Sequence, residues 1–168
     1  MKKYLSTFVS GFGAGVLSTV PLMKNFSCCL IIPVASYFSL RLYQRAENNY
    51  ERIEASTALK YGILTGIFAA FFSTSFDLLI TYIFHTNDFV YGIPAVEKMF
   101  IEYSKIPEFR QAISMLNQMS NNIREFGFSS GYALFILLNN LLVYPLFGIA
   151  GGLLGMHFIN RRQENFKL

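Results

Sequence analysis

Four apolar runs separated by polar segments organise this sequence. An α-helix rises 1.5 Å per residue, so about 20 apolar residues cross the hydrocarbon core of a bilayer. Each run is close to that length and carries few charged side chains. The pattern therefore predicts four membrane-spanning helices, over Tyr4–Met23, Phe26–Tyr43, Tyr61–Phe84 and Tyr132–Ile159.

The polar segments between the runs predict how these helices connect. Only Lys24 and Asn25 separate the first two runs, so the two helices form a tight antiparallel hairpin. The sequence thus predicts an all-α membrane protein with four transmembrane helices in two antiparallel hairpins. Its parts are a first hairpin (1–43), a cytoplasmic polar connector (44–60), a third span (61–84), an external amphipathic helical segment (85–131), a fourth span (132–159) and a cytoplasmic basic tail (160–168).

The long segment between the third and fourth spans has the periodicity of amphipathic helices. Pro107 suits the first turn of a helix, and an apolar face follows it until Gly127, a residue type that commonly ends helices. That face is formed by Phe109, Ala112, Ile113, Leu116, Met119 and Ile123. A shorter helix is predicted over Ala95–Ser104. Because this segment is long for a connector, we expect it to be where the protein meets a partner.

The composition agrees with a membrane protein. Hydrophobic residues make up 53% of the 168 residues and charged residues only 14%, whereas soluble domains carry about 25% charged residues. The neighbouring Cys28 and Cys29 can pair only through a strained ring, so they provide no disulfide framework. The spacing of potential ligands predicts no metal site, and we expect no cofactor.

The positions of lysine and arginine predict the orientation of the helices. If the N-terminus is cytoplasmic, nine of the 14 basic residues lie on that side: Lys2, Lys3, Arg41, Arg45, Arg52, Lys60, Arg161, Arg162 and Lys167. The other five are Lys24, Lys98, Lys105, Arg110 and Arg124. Because basic residues concentrate in cytoplasmic loops, both termini are predicted to be cytoplasmic. The net charge of +4 then reflects topology and attraction to anionic lipid headgroups rather than nucleic-acid binding.

Asp77 lies inside the third apolar run, where an ionisable residue is costly. An aspartate at the centre of a membrane helix costs about 3 kcal/mol of insertion free energy, which the surrounding apolar residues offset. At 3.6 residues per turn, Asp77 shares a face with Gly62, Gly66, Ala69 and Ser73. Because small residues face other helices in membranes, we expect Asp77 to face the interior of the bundle.

A matching face on the fourth run predicts the register of the third and fourth helices. It consists of Asn140, Tyr144, Gly148, Gly151 and Gly155. An antiparallel register then places Gly66 opposite Gly151. The same register places Asp77 opposite Asn140, with Asn139 as the nearby substitute. The glycines predicted to pack between helices are Gly11, Gly15, Gly62, Gly66, Gly148, Gly151 and Gly155.

Two functions are compatible with this position of Asp77. In the first, its carboxylate forms a polar clasp between two helices, worth about 0.6 kcal/mol. In the second, it is an ion or proton site, because carboxylates inside membranes often serve transport. The predicted intramembrane polar cluster consists of Asp77, Asn140, Asn139, Ser73, Cys28 and Cys29, with Ser18 and Thr19 in the same half of the membrane.

Several stretches of the sequence have a familiar layout. They are the glycine-rich first run, PLMKNFSCCLIIPVASYFSLRLYQR across the first hairpin, KYGILTGIFAA at the start of the third run, and GIAGGLLGMHFINRR near the end. In this layout the chain resembles a family of small bacterial four-span integral membrane proteins of unknown function. The resemblance implies an all-α fold in the bacterial cytoplasmic (inner) membrane, and it carries over no catalytic residues.

The sequence as a whole predicts a protein that is not an enzyme. We expect a structural or accessory subunit that associates with itself or with a larger membrane complex, through small-residue helix faces and the external helices. The alternative is a small ion or solute transporter or channel component that uses Asp77. The expected partners are the lipid bilayer and other membrane subunits, without nucleic acid.

The predicted orientation can be tested by labelling single cysteines. In a variant without Cys28 and Cys29, Asn48→Cys and Asn165→Cys should react with a membrane-impermeant maleimide only after the cells are opened. Met115→Cys, in the predicted external segment, should react in intact cells. Labelling of position 48 or 165 in intact cells would contradict the predicted topology.

Overall fold

The protein is all-α, as its sequence predicts. The computed structural model describes the backbone of residues 2–48, 50–100 and 107–165, and no strand occurs within these ranges. In the described ranges, seven α-helices occupy Lys2–Ser18 (α1), Pro21–Lys24 (α2), Ile32–Glu47 (α3), Ala55–Phe84 (α4), Asp88–Phe100 (α5), Pro107–Phe126 (α6) and Ser130–Asn165 (α7). A π-helical turn, Ser27–Ile31, precedes α3.

Two helices in the described part of the chain are long and apolar enough to cross a membrane, Ala55–Phe84 and Ser130–Gln163. The predicted first span, Tyr4–Met23, is not one continuous helix. Val20 is extended (φ −74°, ψ 124°), because a residue before proline disfavours the α conformation, and α2 begins at Pro21. The 17 residues of α1 therefore extend only about 26 Å, slightly less than the hydrocarbon core.

A proline also explains the π-helical turn before α3. Pro33 has no N–H, and its ring collides with the carbonyl four residues earlier in a regular helix. The chain widens just ahead of it, where the Ile31 N–H donates to the Phe26 carbonyl at 3.3 Å, five residues back. The predicted second span, Phe26–Tyr43, is therefore a π-turn followed by α3.

The chain forms two compact units. The first comprises Met1–Phe76 and Leu137–Leu168, and it contains α1, α2, α3, most of α4 and most of α7. The second comprises Asp77–Ile136, and it contains the last turns of α4, the helices α5 and α6, and the first turns of α7. Both boundaries therefore fall inside long helices.

In the first unit, α1 packs closely against α4 through two glycines. A methyl group on Gly11 would lie 2.5 Å from the Cβ of Phe68 and 3.0 Å from the carbonyl oxygen of Thr65. One turn later, Gly15 faces Phe72 in the same way. Since the residue numbers on the two helices increase together, α1 and α4 run parallel.

The closest approach between α4 and α7 places glycine against glycine. A methyl group on Gly62 would collide with the carbonyl oxygen of Gly148, and one on Gly148 would collide with the carbonyl oxygen of Gly62. One turn along α4, a methyl group on Gly66 would lie 2.6 Å from the Cα of Pro145. These pairs follow in opposite order along the two helices, so α4 and α7 are antiparallel.

The same helix α7 packs against α3 through two other glycines. Gly151 lies against the backbone of Pro33, and Gly155 lies against Tyr37. The order of these pairs shows that α3 and α7 run parallel. Because α1 and α3 are also in contact, the four helices close a ring in the order α1, α4, α7, α3.

The observed register of α4 and α7 corrects the predicted one. Gly66 lies against Pro145 and Gly151 lies against Pro33 of α3, so the predicted contact between the two glycines is wrong. The contacts of Gly62 and Gly66 with α7 are shifted from the predicted ones by about seven residues, or two helical turns. Ser73, by contrast, is hydrogen-bonded to Tyr144, the residue that the predicted register places opposite it. Because a shift of two turns brings the same faces together again, periodicity alone cannot choose between these registers.

Side chains of α3 and α7 hold the connector between α3 and α4. The Asn160 side chain makes two hydrogen bonds to the backbone of Ile53: its Oδ1 accepts from the N–H at 2.9 Å, and its Nδ2 donates to the carbonyl at 3.0 Å. The Nε2 of Gln44 donates to the carbonyl of Glu51 at 3.1 Å. The polar connector is thus bound to the first unit at two points.

The second unit has a small apolar core of its own. Val90, Ile123 and Tyr132 are almost fully buried there. Asn87 caps α5, because its Oδ1 accepts from the Val90 N–H at 3.0 Å. This cap explains why α5 begins at Asp88, well before the predicted start of the Ala95–Ser104 helix. Residues 101–104 of that prediction lie outside the described residues.

α6 ends at Gly127, which has a left-handed backbone with φ of +71°. A side chain has no room there either, because a Cβ would lie 2.7 Å from the carbonyl oxygen of Tyr82. Within the predicted apolar face of α6, Ile123 is buried, Ile113, Leu116 and Met119 are half-buried, and Phe109 and Ala112 are exposed. The C-terminal half of the face therefore packs inside the unit.

The close approach of α4 and α7 predicts a sensitivity to side-chain size. In Gly148→Ala the new methyl group meets the Gly62 carbonyl, a backbone group that cannot rotate away, so we expect a loss of about 1–3 kcal/mol in the free energy of unfolding. Gly13→Ala is the matched control, since nothing lies within 4 Å of its Cβ position. The control should equal or slightly exceed wild type, because alanine favours helix. Thermal unfolding in detergent measures both, and equal stability of the two variants would contradict the observed register.

Candidate functional site

The Asp77 carboxylate has a hydrogen-bond partner on α7. The Tyr132 hydroxyl donates to Asp77 Oδ2 at 2.6 Å. A hydrogen bond to a carboxylate is shorter and stronger than one between neutral groups. Within the second unit, this bond joins the last turns of α4 to the first turns of α7.

The helices α5 and α6 fix the position of the Tyr132 ring. Only 5% of this residue is exposed, and it packs with Val90 of α5 and Ile123 of α6. The Phe89 ring lies beside it, with the two ring centroids 5.2 Å apart. The hydroxyl that binds Asp77 is therefore held in place by α5 and α6.

Two further polar pairs join α4 to α7 in the first unit. The Nδ2 of Asn140 donates to the Thr74 hydroxyl at 2.9 Å. The Ser73 and Tyr144 hydroxyls share a hydrogen bond at 3.2 Å. All four residues are buried, and hydrogen bonds between membrane helices contribute about 0.6 kcal/mol each. These pairs are polar clasps between two helices.

The predicted polar cluster is divided among these places. Asp77 belongs to the second unit, whereas Ser73 and Asn140 belong to the first. The Asn139 side chain is exposed. The hydrogen bond predicted between Asp77 and Asn140 stays a prediction.

The two cysteines, both with free thiols, lie in the first unit. Cys28 is half-buried and packs against the apolar core that contains Ala14 and Ile32. Cys29 is exposed and lines a groove between α3 and α7. Ser18, predicted in the same half of the membrane, donates to the Ala14 carbonyl of its own helix at 2.8 Å.

Four buried hydroxyls of the first unit have no hydrogen-bond partner within the part of the chain that the structure describes. They are Ser10, Ser36, Ser39 and Thr65. A buried hydroxyl that lacks a partner costs about 1–3 kcal/mol. Because these residues come from α1, α3 and α4, polar groups of three helices remain unsatisfied inside the unit.

Helical periodicity did not identify Tyr132 or Thr74 as partners of the polar residues. The predicted register was two turns away from the observed glycine contacts, so it placed Asn140 opposite Asp77. The signal that was available is a phenol at the start of an apolar run, since a buried tyrosine hydroxyl usually finds a partner.

The comparisons with known proteins add no relative. No protein-family model, curated protein or solved structure matches this chain. Within the described residues, no group of three or more His, Cys, Asp and Glu side chains is placed to hold a metal ion. The geometry around Asp77 is thus the main basis for a functional conclusion.

The hydrogen bond between Asp77 and Tyr132 predicts coupled mutational effects. Tyr132→Phe keeps the ring but removes the donor, so the carboxylate loses a hydrogen bond and the free energy of unfolding should fall by about 1–3 kcal/mol. In an Asp77→Asn background the same substitution should cost less, because a neutral amide depends less on the donor. Thermal unfolding of the two single variants and the double variant measures the coupling. Strictly additive effects would contradict the bond.

Proposed function

We propose that the protein spans the membrane with α1, α3, α4 and α7 and acts as a non-enzymatic accessory subunit of a membrane complex. In this proposal the segment between α4 and α7 is external, and its helices α5 and α6 bind another membrane subunit or a second copy of the chain. The resemblance in layout to small bacterial membrane proteins favours the bacterial cytoplasmic membrane. The distribution of basic residues favours an orientation with both termini in the cytoplasm.

The side chains of the first unit support four spans. Serine, threonine, glycine and alanine dominate its interior, while large apolar side chains point outward from all four helices. Examples are Val9 of α1 (51% exposed), Phe38 of α3 (55%), Phe71 of α4 (58%) and Leu142 of α7 (66%). Water would drive such side chains inside a soluble bundle, whereas lipid favours small residues between helices.

Aromatic residues at one end of α4 support the position of one membrane boundary. Tyr82 and Phe84 are 60% and 68% exposed. Tyrosine is enriched at the interface between membrane and water, so these exposed rings fit the external boundary.

The observation that carries the accessory role is the hydrogen bond between Asp77 and Tyr132. Tyr132 is buried by α5 and α6, so the carboxylate anchors the residue around which the external helices pack. Asp77 thereby has a structural use inside the second unit, where it joins the last turns of α4 to the apolar core around Tyr132. A structural role for Asp77 favours the accessory function, in which the external helices bind the partner.

The outward side of α5 supports docking of a partner. Tyr91 and Met99 are 72% and 73% exposed, and their spacing of two helical turns puts them on one side of α5. α5 is fixed to α6 by a hydrogen bond of 2.6 Å from Asn117 Nδ2 to Glu97 Oε1. Aromatic residues and methionine are enriched in protein interfaces, so this rigid apolar stripe fits a protein partner.

A transport function is the second candidate. The observation that favours it is a set of buried hydroxyls for which the described residues provide no hydrogen-bond partner, Ser10, Ser36, Ser39 and Thr65. In a transporter, water or a polar solute inside the ring would supply the missing hydrogen bonds.

Cross-linking in native membranes tests the accessory role. The wild-type protein should give reproducible cross-links, identified by mass spectrometry, from α5 to one partner subunit or to a second copy. Met99→Arg places a charge on the exposed apolar stripe, so these cross-links should be lost while thermal stability is kept. Gln118→Arg, also at an exposed position of the external unit, is the matched control and should retain them.

Flux measurements in proteoliposomes separate the two candidates. An accessory subunit gives no ion or solute flux above protein-free liposomes. Flux that Asp77→Asn abolishes without unfolding the protein would support transport instead and would contradict the accessory role.

A further inference from the structure

An elongated groove of about 520 Å³ runs between α3 and α7 on the outside of the first unit. Its floor lies beside the contact of these helices, where Gly151 packs against the backbone of Pro33 and Gly155 packs against Tyr37. Exposed apolar side chains form the walls: Leu30, Val34, Leu154 and Phe158. A volume of this size and an apolar lining are typical of a small-molecule site.

Two arginines line the same end of this groove. Arg41 lies toward the C-terminal end of α3 and Arg162 toward that of α7, and the two helices run parallel. The Nε of Arg41 donates to the Tyr37 hydroxyl at 3.0 Å, and the guanidinium lies 5.6 Å from the centroid of that ring. Tyr37 thus orients Arg41, and the two Nη groups remain as donors for an anion.

We propose that this groove binds one anionic phospholipid, with an acyl chain along the apolar walls and the phosphate on Arg41 and Arg162. The apolar walls alone fit any lipid, but two guanidinium groups at one end match a negatively charged headgroup. Arginine pairs with phosphate through two parallel hydrogen bonds, which makes it well suited to this contact.

The proposal rests on the membrane-spanning arrangement proposed above. In that arrangement the arginine end of the groove lies at the cytoplasmic face, where anionic lipids give the membrane surface a negative potential. A lipid in this groove would contact α3 and α7 together, and so would bridge two helices of the ring.

Lipid titration of the purified full-length protein tests the proposal. The probe is phosphatidylglycerol, the neutral comparison is phosphatidylcholine, and native mass spectrometry measures how much of each binds. Phosphatidylglycerol should bind more tightly. Arg41→Gln and Arg162→Gln should each weaken phosphatidylglycerol binding roughly fivefold, because a basic residue near anionic lipid contributes about that factor. Neither substitution should change phosphatidylcholine binding.

Two further variants control the headgroup and acyl-chain contacts. Arg45→Gln removes an exposed arginine of α3 that does not line the groove, so lipid binding should stay at the wild-type level. Val34→Trp adds bulk to an exposed wall, so it should weaken both lipids without disturbing the core.

Equal affinity of the wild-type protein for the two lipids would overturn the proposal. So would unchanged phosphatidylglycerol binding in the variant with both arginines replaced, or a second protein copy found in the groove in place of lipid. Val34→Cys, in a variant without Cys28 and Cys29, distinguishes failure of the lipid proposal from failure of the proposed four-span arrangement. Reaction with an impermeant maleimide in liposomes overturns the four-span arrangement, whereas protection without lipid selectivity overturns the lipid site alone.

Discussion

Close contact between helix backbones, made possible by glycine, is the constraint on which the first unit depends. Gly11, Gly62 and Gly151 each face a neighbouring helix at a distance that excludes even a methyl group. Because backbone atoms cannot change rotamer, each such contact fixes the register of its helix pair. In the proposed membrane arrangement, where large apolar side chains gain nothing from burial, contacts of this kind would supply much of the attraction between helices. The polar clasps of Thr74 and Ser73 with α7 then form at positions that the glycine contacts have already aligned.

The helical class and most helix positions could be predicted because they depend on local pattern. Pro107 and Gly127 delimit α6 through backbone preferences that a sequence displays directly. The start of α5 was missed, because the Asn87 cap lies ahead of the apolar pattern that defined the predicted helix. The register of α4 and α7 was missed for another reason. Faces repeat every two turns, and only the fit of Gly62 against Gly148 distinguishes the observed alignment.

The partner of Asp77 shows where prediction from one sequence stops. That the residue needs a polar partner follows from the cost of a carboxylate in an apolar run. Which partner it takes depends on Tyr132, and the position of Tyr132 depends on packing with Val90 and Ile123 from two other helices. Local periodicity carries no information on such a three-helix core. The sequence therefore predicted that Asp77 needs a polar partner, whereas the identity and position of that partner depend on the fold.

The groove between α3 and α7 arises from the same feature that joins these helices. Gly151 and Gly155 let the two backbones meet, and a concave surface that Val34 and Phe158 border lies beside this contact. Arg41 and Arg162 both lie toward the C-terminal ends of their helices, so parallel packing brings them to one end of the groove. In an antiparallel pair they would lie at opposite ends. α3 is also the shorter partner, with 16 residues after a π-turn that the proline imposes. A lipid bridging α3 and α7 would thus add contacts to α3, the shortest of the four helices in the ring. Lipid binding and the stability of the bundle are therefore expected to be linked.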